Sequence, residues 1–229
     1  MKLLSVSADA KTVKGEGLGY LTGITYLAPA NISGYEVCPN RTAGCTEVCL
    51  NSAGRGAFSN VKKSRISKTL FYFQNRVNFM KQLVKEIEAL IRKAERMRLI
   101  PVIRLNGTSD IPWERISVSN RKNIMEMFPG VQFYDYTKRA NRTNLPKNYH
   151  LTFSLAEDNE KNALTALDNG MNVAVVFRTN KFPTKYFGKS VINGDDSDLR
   201  FLDGHSNIIA LKAKGKAKKD MSGFVREVA

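Results

Sequence analysis

Cys38, Cys45 and Cys49 are the only cysteines of the chain, and they fall within twelve residues, CPNRTAGCTEVC. An odd number of thiols, in a chain that opens without a secretory apolar run, argues against a disulfide framework and for metal binding. Structural zinc takes four ligands and usually begins with C-x2–4-C. Here the spacing is C-x6-C-x3-C, and the fourth ligand would have to be His150 or His205. Three thiolates with one ligand missing suit a four-iron, four-sulfur (4Fe–4S) cluster, whose fourth iron stays open to a water, a carboxylate or another small ligand. Gly34 and Gly44 permit a tight wrap around such a core and Pro39 stiffens it. Three unliganded cysteines are the remaining alternative.

Other residues with chemical potential follow the apolar runs. Asn106, Ser109 and Asp110 follow LIPVIRL; Asp135 and Lys138 lie in and after VQFYDY; Ser154 and Glu157 follow YHLTF. Arg178 follows MNVAVVF, and Lys212 and Lys214 follow NIIAL. Asp195, Asp196, Asp198 and Asp203 form an acidic segment that fits magnesium or simple pairing with nearby bases, and its spacing is not that of an EF-hand. GEGLG at residues 15–19 has no preceding strand and fits no phosphate-binding fingerprint. Trp113, the only tryptophan, reads as packing at the rim or as a platform for a flat ring.

The elements that must position these groups can be read from periodicity. The first 20 residues read as a surface segment, and residues 24–28 as a short strand. A long cysteine loop then spans residues 30–60. Ile66, Leu70, Phe73, Val77, Met80, Val84, Ile87, Ile91 and Ala94 recur at steps of three and four, which predicts one long helix with a bend or a split. Strands are expected at 99–105, 131–136, 149–155, 171–177 and 208–211, and helices at 119–128 and 159–167. Strands alternating with helices predict an α/β fold of parallel βαβ units, six strands in all, in one domain spanning 1–229. In such folds a site forms at the C-terminal ends of the strands, where the thiols and the polar groups above would gather.

The 229 residues carry a formal net charge of +15, and residues 51–150 hold 20 basic groups against 7 acidic ones. A basic surface of this kind attracts polyanions. The alternative to the cluster reading is therefore a nucleic-acid-binding protein with a structural zinc site. Lys62, Lys63, Arg65, Lys68 and Arg76 on the helix, together with the Lys212–Lys219 tail, would then touch phosphates. No run of 18 apolar residues occurs, so a membrane-spanning helix is excluded and a cytoplasmic location is expected. Nothing in the sequence bears on the oligomeric state.

Two resemblances add to this. The order of strand, cysteine loop, long helix, strand and polar turn across residues 24–110 resembles the radical S-adenosylmethionine (SAM) architecture. That resemblance implies a partial TIM-like (β/α)6 barrel with the cysteine loop after its first strand. It also implies a cluster whose open iron chelates SAM, and a polar turn (here Asn106-Gly107-Thr108-Ser109-Asp110) facing the SAM amino group. The radical SAM spacing is C-x3-C-x2-C with an aromatic residue before the last cysteine, whereas this chain has C-x6-C-x3-C and Val48. CPNRTAGCTEVCL with AGRG, RLNGTSDIPWE, FYDYTK, GDDSDLRFLD and IIALKAKG resemble blocks of a phage-encoded family, gene product eighty-eight. Membership implies a viral origin and a setting in the infected bacterial host cell.

Overall fold

A computed structural model describes residues 1–7, 10–142 and 144–228. In chain order the first half is β1 (Leu4–Val6), α1 (Ala10–Gly17), β2 (Tyr20–Thr25), α2 (Ala43–Glu47), α3 (Ser59–Gln74), α4 (Arg76–Met97) and β3 (Ile100–Arg104). The second half is α5 (Ile124–Met127), β4 (Gln132–Thr137), β5 (Tyr149–Ser154), α6 (Glu160–Asp168), β6 (Asn172–Phe177), β7 (Lys185–Tyr186), β8 (Lys189–Asn193), β9 (Ile208–Lys212) and β10 (Val225–Arg226). The strands form one mixed, mostly parallel sheet in the order β1-β2-β3-β4-β5-β6-β9-β8-β7. The six expected strands are β2, β3, β4, β5, β6 and β9. They pair in parallel as neighbours in chain order.

α4 explains its own position. Phe79, Met80, Leu83, Ile87, Leu90 and Ala94 repeat at helical spacing and are buried, each contributing about 1.5–3 kcal/mol if fully removed from water, alanine less. They pack on the sheet face that also carries Ile103 and Phe133. The long helix is split at Asn75, whose backbone lies at φ −143°, ψ 57°. Its first half departs from the expected stripe. Val77 is exposed, and α3 turns Arg65, Lys68, Thr69 and Tyr72 inward instead. The reason is that α3 packs on loop backbone, whose groups need partners. The Ala28 amide donates to Thr69 Oγ1 (2.8 Å) and Lys68 Nζ donates to the Leu3 carbonyl (3.1 Å).

Several expectations are corrected. The first 20 residues form β1, paired antiparallel with β2, and α1. The 119–128 helix shrinks to α5, four residues capped by Asn123 and Glu126. The polar stretch after β6 contributes β7 and β8, and β8 is inserted beside β9.

The acidic segment 195–203 covers the sheet face opposite α4. Leu199 and Phe201 pack on Val102 and Tyr134. Asp198 pairs with Arg104 at 2.7 Å and accepts from Tyr134 Oη at 3.3 Å. Asp195 pairs with Lys214 (2.7 Å) and Lys11 (3.2 Å), and accepts from the Lys212 amide. Burial alone would raise the Asp195 carboxyl, but these partners hold it down at about 2. Of the two readings of this segment, pairing with nearby bases is the one the contacts follow.

Candidate thiol pocket

The pocket is built by the loop between β2 and α3. Cys38, Cys45 and Cys49 are each half-buried and line one pocket of about 230 Å³ with Arg41, Lys62 and Lys216 at its edge. The loop is tied down from the strand ends. Thr42 caps α2, its Oγ1 accepting from the Cys45 amide at 3.1 Å. Glu157, just after β5, accepts from Thr42 Oγ1 and from the Gly44 amide, both at 2.7 Å. The Cys38 side is held by the turn after β3: the thiol faces the Thr108 carbonyl at 3.7 Å, and the Asp110 amide donates to the Val37 carbonyl at 2.8 Å. The chain's last segment forms another wall. Val48, Ala217 and Val225 pack together, and Gly215 lies directly against Ala53.

Gly44 is where this clamp is tightest. A methyl group there would overlap Ser222 Oγ and sit 2.9 Å from both Glu157 carboxylate oxygens. Gly44→Ala should therefore lower stability by about 1–3 kcal/mol in a denaturant titration. Gly17→Ala, at a helical position with nothing within 4 Å, should leave it unchanged or slightly raised.

Electrostatics couple the thiols. Burial pushes the Cys38 thiol up to about 12, with Cys49, Cys45 and Asp110 adding to it. Cys49 is also raised by burial and by Cys45, while Arg65 and Lys138 pull it down. The thiols share a pocket without meeting at a point: among the described residues, no three His, Cys, Asp or Glu side chains are gathered as the ligand set of a single ion. A lone zinc needs its sulfurs about 2.3 Å from one centre.

The other sequence candidates fall into three groups. Asn106 and Asp135 are fully engaged inside the protein. The Asn106 carbonyl accepts from Ser109 Oγ (2.8 Å), the Ile111 amide (3.0 Å) and Trp113 Nε1 (3.0 Å). Its amide group donates to the Ile111 carbonyl (2.9 Å) and to Asp135 (3.3 Å). Asp135 also accepts from the Asn106 amide and Tyr149 Oη, and burial pushes its carboxyl up to about 7 against those donors. Asp110 and Lys138 do not line the pocket, but their charges act on Cys38 and Cys49 respectively. Asp110 accepts from the Lys138 amide at 2.9 Å, while Lys138 Nζ donates to Ser154 Oγ and lies over the Phe224 ring. Arg178, Lys212 and Lys214 lie elsewhere. Arg178 binds the Asp220 carbonyl and Glu227, and the two lysines serve Asp195.

Trp113 is a core residue, packed edge-on to Tyr72. Neither histidine lines the pocket. His205 couples to His150 at the N-terminal end of the sheet, where Asn172 holds the neighbouring Gly204 carbonyl at 2.9 Å. Burial, then the His205 and Arg200 charges, push His150 down to about 4. Of the expected basic helix face, Lys62, Lys63 and Arg76 are exposed. Arg65 donates to Asn51 (2.6 Å), Lys68 is buried, and Arg76 lies over Tyr72. Sequence reading missed Arg142, whose buried guanidinium joins Asp110, Glu114 and Tyr149. It lies in a polar stretch with no periodicity to mark it.

No helix of the described residues is long and apolar enough to cross a membrane. No curated protein and no solved structure matches the chain. A family model described as Gene product 88 matches residues 2–227, which covers the cysteine loop, every strand and the C-terminal wall of the pocket. The chain belongs to the Gene product 88 family of phage proteins.

Proposed function

We propose that the protein is a phage iron–sulfur protein that holds a 4Fe–4S cluster through Cys38, Cys45 and Cys49, with one iron open to a small ligand. The observation that carries this reading is that all three thiols line one pocket, in the loop that follows the first of six parallel strands. The donor set fits. Thiolates are soft ligands suited to iron and sulfide, and a cluster, being a cube rather than a point, takes sulfurs set farther apart than a single ion does. Thiolates that discourage each other's ionisation are stabilised once a metal core sits between them. Arg65 and Lys138 stand behind Cys49 and offset the charge of the anionic assembly.

On this reading the six parallel strands bend into part of a TIM-like barrel with the thiol loop at its mouth. Their order without reversal supports it. A cluster with an open iron supplies one-electron chemistry, and SAM is the open-iron ligand that the radical SAM resemblance implies, which would make the protein an enzyme. Asp110 and Lys138 are the expected site residues nearest the thiols. Asn106, Ser109 and Asp135 act beneath them as the frame that fixes Asp110. Residues 42–44 and Glu157 hold the loop in place.

The test is iron and acid-labile sulfide analysis of the full chain purified without oxygen. Iron and sulfide in equal amounts, with visible charge-transfer absorption, are expected. Zinc alone, or no metal, overturns the reading. Adding SAM to the reduced protein should then change its paramagnetic resonance spectrum; an unchanged spectrum removes SAM and leaves the cluster.

A further inference from the structure

The pocket edge carries charge that the thiols do not use. Lys62, at the start of α3, and Lys216, in the 3-10 turn at Gly215–Lys219, line the same pocket although they lie far apart in the sequence. Both are exposed. Among the described residues neither ammonium group has a hydrogen-bond or ion-pair partner. Arg41 differs, being paired with Glu36 at 3.0 Å. Exposed Lys63, Lys218 and Lys219 extend the positive surface outward on both sides.

An exposed aromatic ring stands beside Lys62. Phe58 is 59% exposed and lies one turn before Lys62, whose amide donates to its carbonyl at 3.0 Å. Residues one turn apart share a helix face. A large ring left in water next to an unpaired ammonium group matches the combination that binds single-stranded nucleic acid, in which bases stack on rings and phosphates lie on cations. The charge of +15 for the whole chain would draw such a polyanion in from a distance.

We propose that the ligand presented to the thiol pocket is a single strand of nucleic acid, with phosphates seated on Lys62 and Lys216 and a base stacked on Phe58. This deepens the cluster reading, on which it rests for the pocket's role as the reacting centre. The strand surface itself is made of other residues. A mononucleotide could satisfy one lysine, whereas a strand can satisfy both lysines and the ring.

The experiment is fluorescence anisotropy of a labelled, mixed-sequence single-stranded oligonucleotide titrated with the full chain over a series of salt concentrations. Iron and sulfide are measured on the same preparations. The Lys62→Glu/Lys216→Glu pair should weaken binding about tenfold or more and flatten the salt dependence, by about 0.7 in log–log slope for each phosphate that is no longer neutralised. Phe58→Ala should weaken the single strand about fivefold or more and leave a duplex of the same sequence unaffected. The Lys85→Glu/Lys93→Glu pair, on α4, should do neither.

The proposal is overturned by absence of binding. It is also overturned if the α4 pair weakens binding as much as the pocket pair, or if duplex and heparin bind equally well and Phe58→Ala changes nothing, since either result means diffuse charge. A chain free of iron and sulfide that still binds with the expected dependence removes the cluster and leaves the strand surface standing. A cluster-bearing chain that does not bind does the reverse.

Discussion

Asn106→Ala is expected to destabilise the protein by about 3–5 kcal/mol, a large share of the stability of an ordinary domain. The side chain is 2% exposed and makes five hydrogen bonds within its own turn and to Asp135. Truncation leaves the Trp113 and Ile111 N–H groups, the Ser109 hydroxyl, the Ile111 carbonyl and one side of Asp135 without this partner. Each orphaned buried group costs about 1–3 kcal/mol, and the sum is reduced because neighbours relax together. Ser109→Ala removes one of these bonds and should cost about 1 kcal/mol. Urea titration with an unchanged slope measures both. An Asn106→Ala midpoint as close to the parent as that of Ser109→Ala would show that the network is not what holds the turn.

Cys45→Ser should abolish iron and sulfide together, with far-ultraviolet circular dichroism unchanged. Two remaining thiolates do not hold a cluster that needs three, and a serine hydroxyl does not ionise at neutral pH. Cys45 is the best position for this test. Its backbone amide is held by Thr42, whereas the Cys38 thiol also touches the Thr108 carbonyl, so replacing Cys38 mixes ligation with packing. The effect is all or none, and iron assay against chain concentration reads it. A variant that keeps its iron and colour would mean that Cys45 is not a ligand and that the three-thiol reading is wrong.

Much of the frame was legible because it rests on periodicity. The six parallel strands are short apolar runs bounded by polar turns; five lie where those runs predict, and the first, expected at 24–28, begins at Tyr20 and ends at Thr25. α4 shows its stripe plainly. α3 does not, because its inner face answers partly to backbone carbonyls and amides, with Tyr72 its one fully buried core residue. Lys68 and Thr69 face inward at positions a hydrophobic pattern assigns to solvent. β7, β8 and β10 are too short or too polar to stand out, and each is held by the hydrogen bonds that a neighbouring strand offers it. In the site, the cysteine cluster was visible from spacing. The walls around it were not, since Glu157, Lys62 and Lys216 meet the thiols only through folding. The same holds for Asn106 and Asp135, whose residue types suggested ligand contacts and whose burial assigns them to the frame.

The wall formed by Val48, Ala217 and Val225 has a consequence for how the protein is made. The thiol loop is synthesised well ahead of Ala217 and Val225, which cover it. At bacterial elongation speeds of about 5–20 residues per second, the nascent sulfurs wait roughly ten to thirty seconds before their cover emerges from the ribosome. Through that interval they lack the wall that later covers them and stand open to oxidants and to metal donors alike.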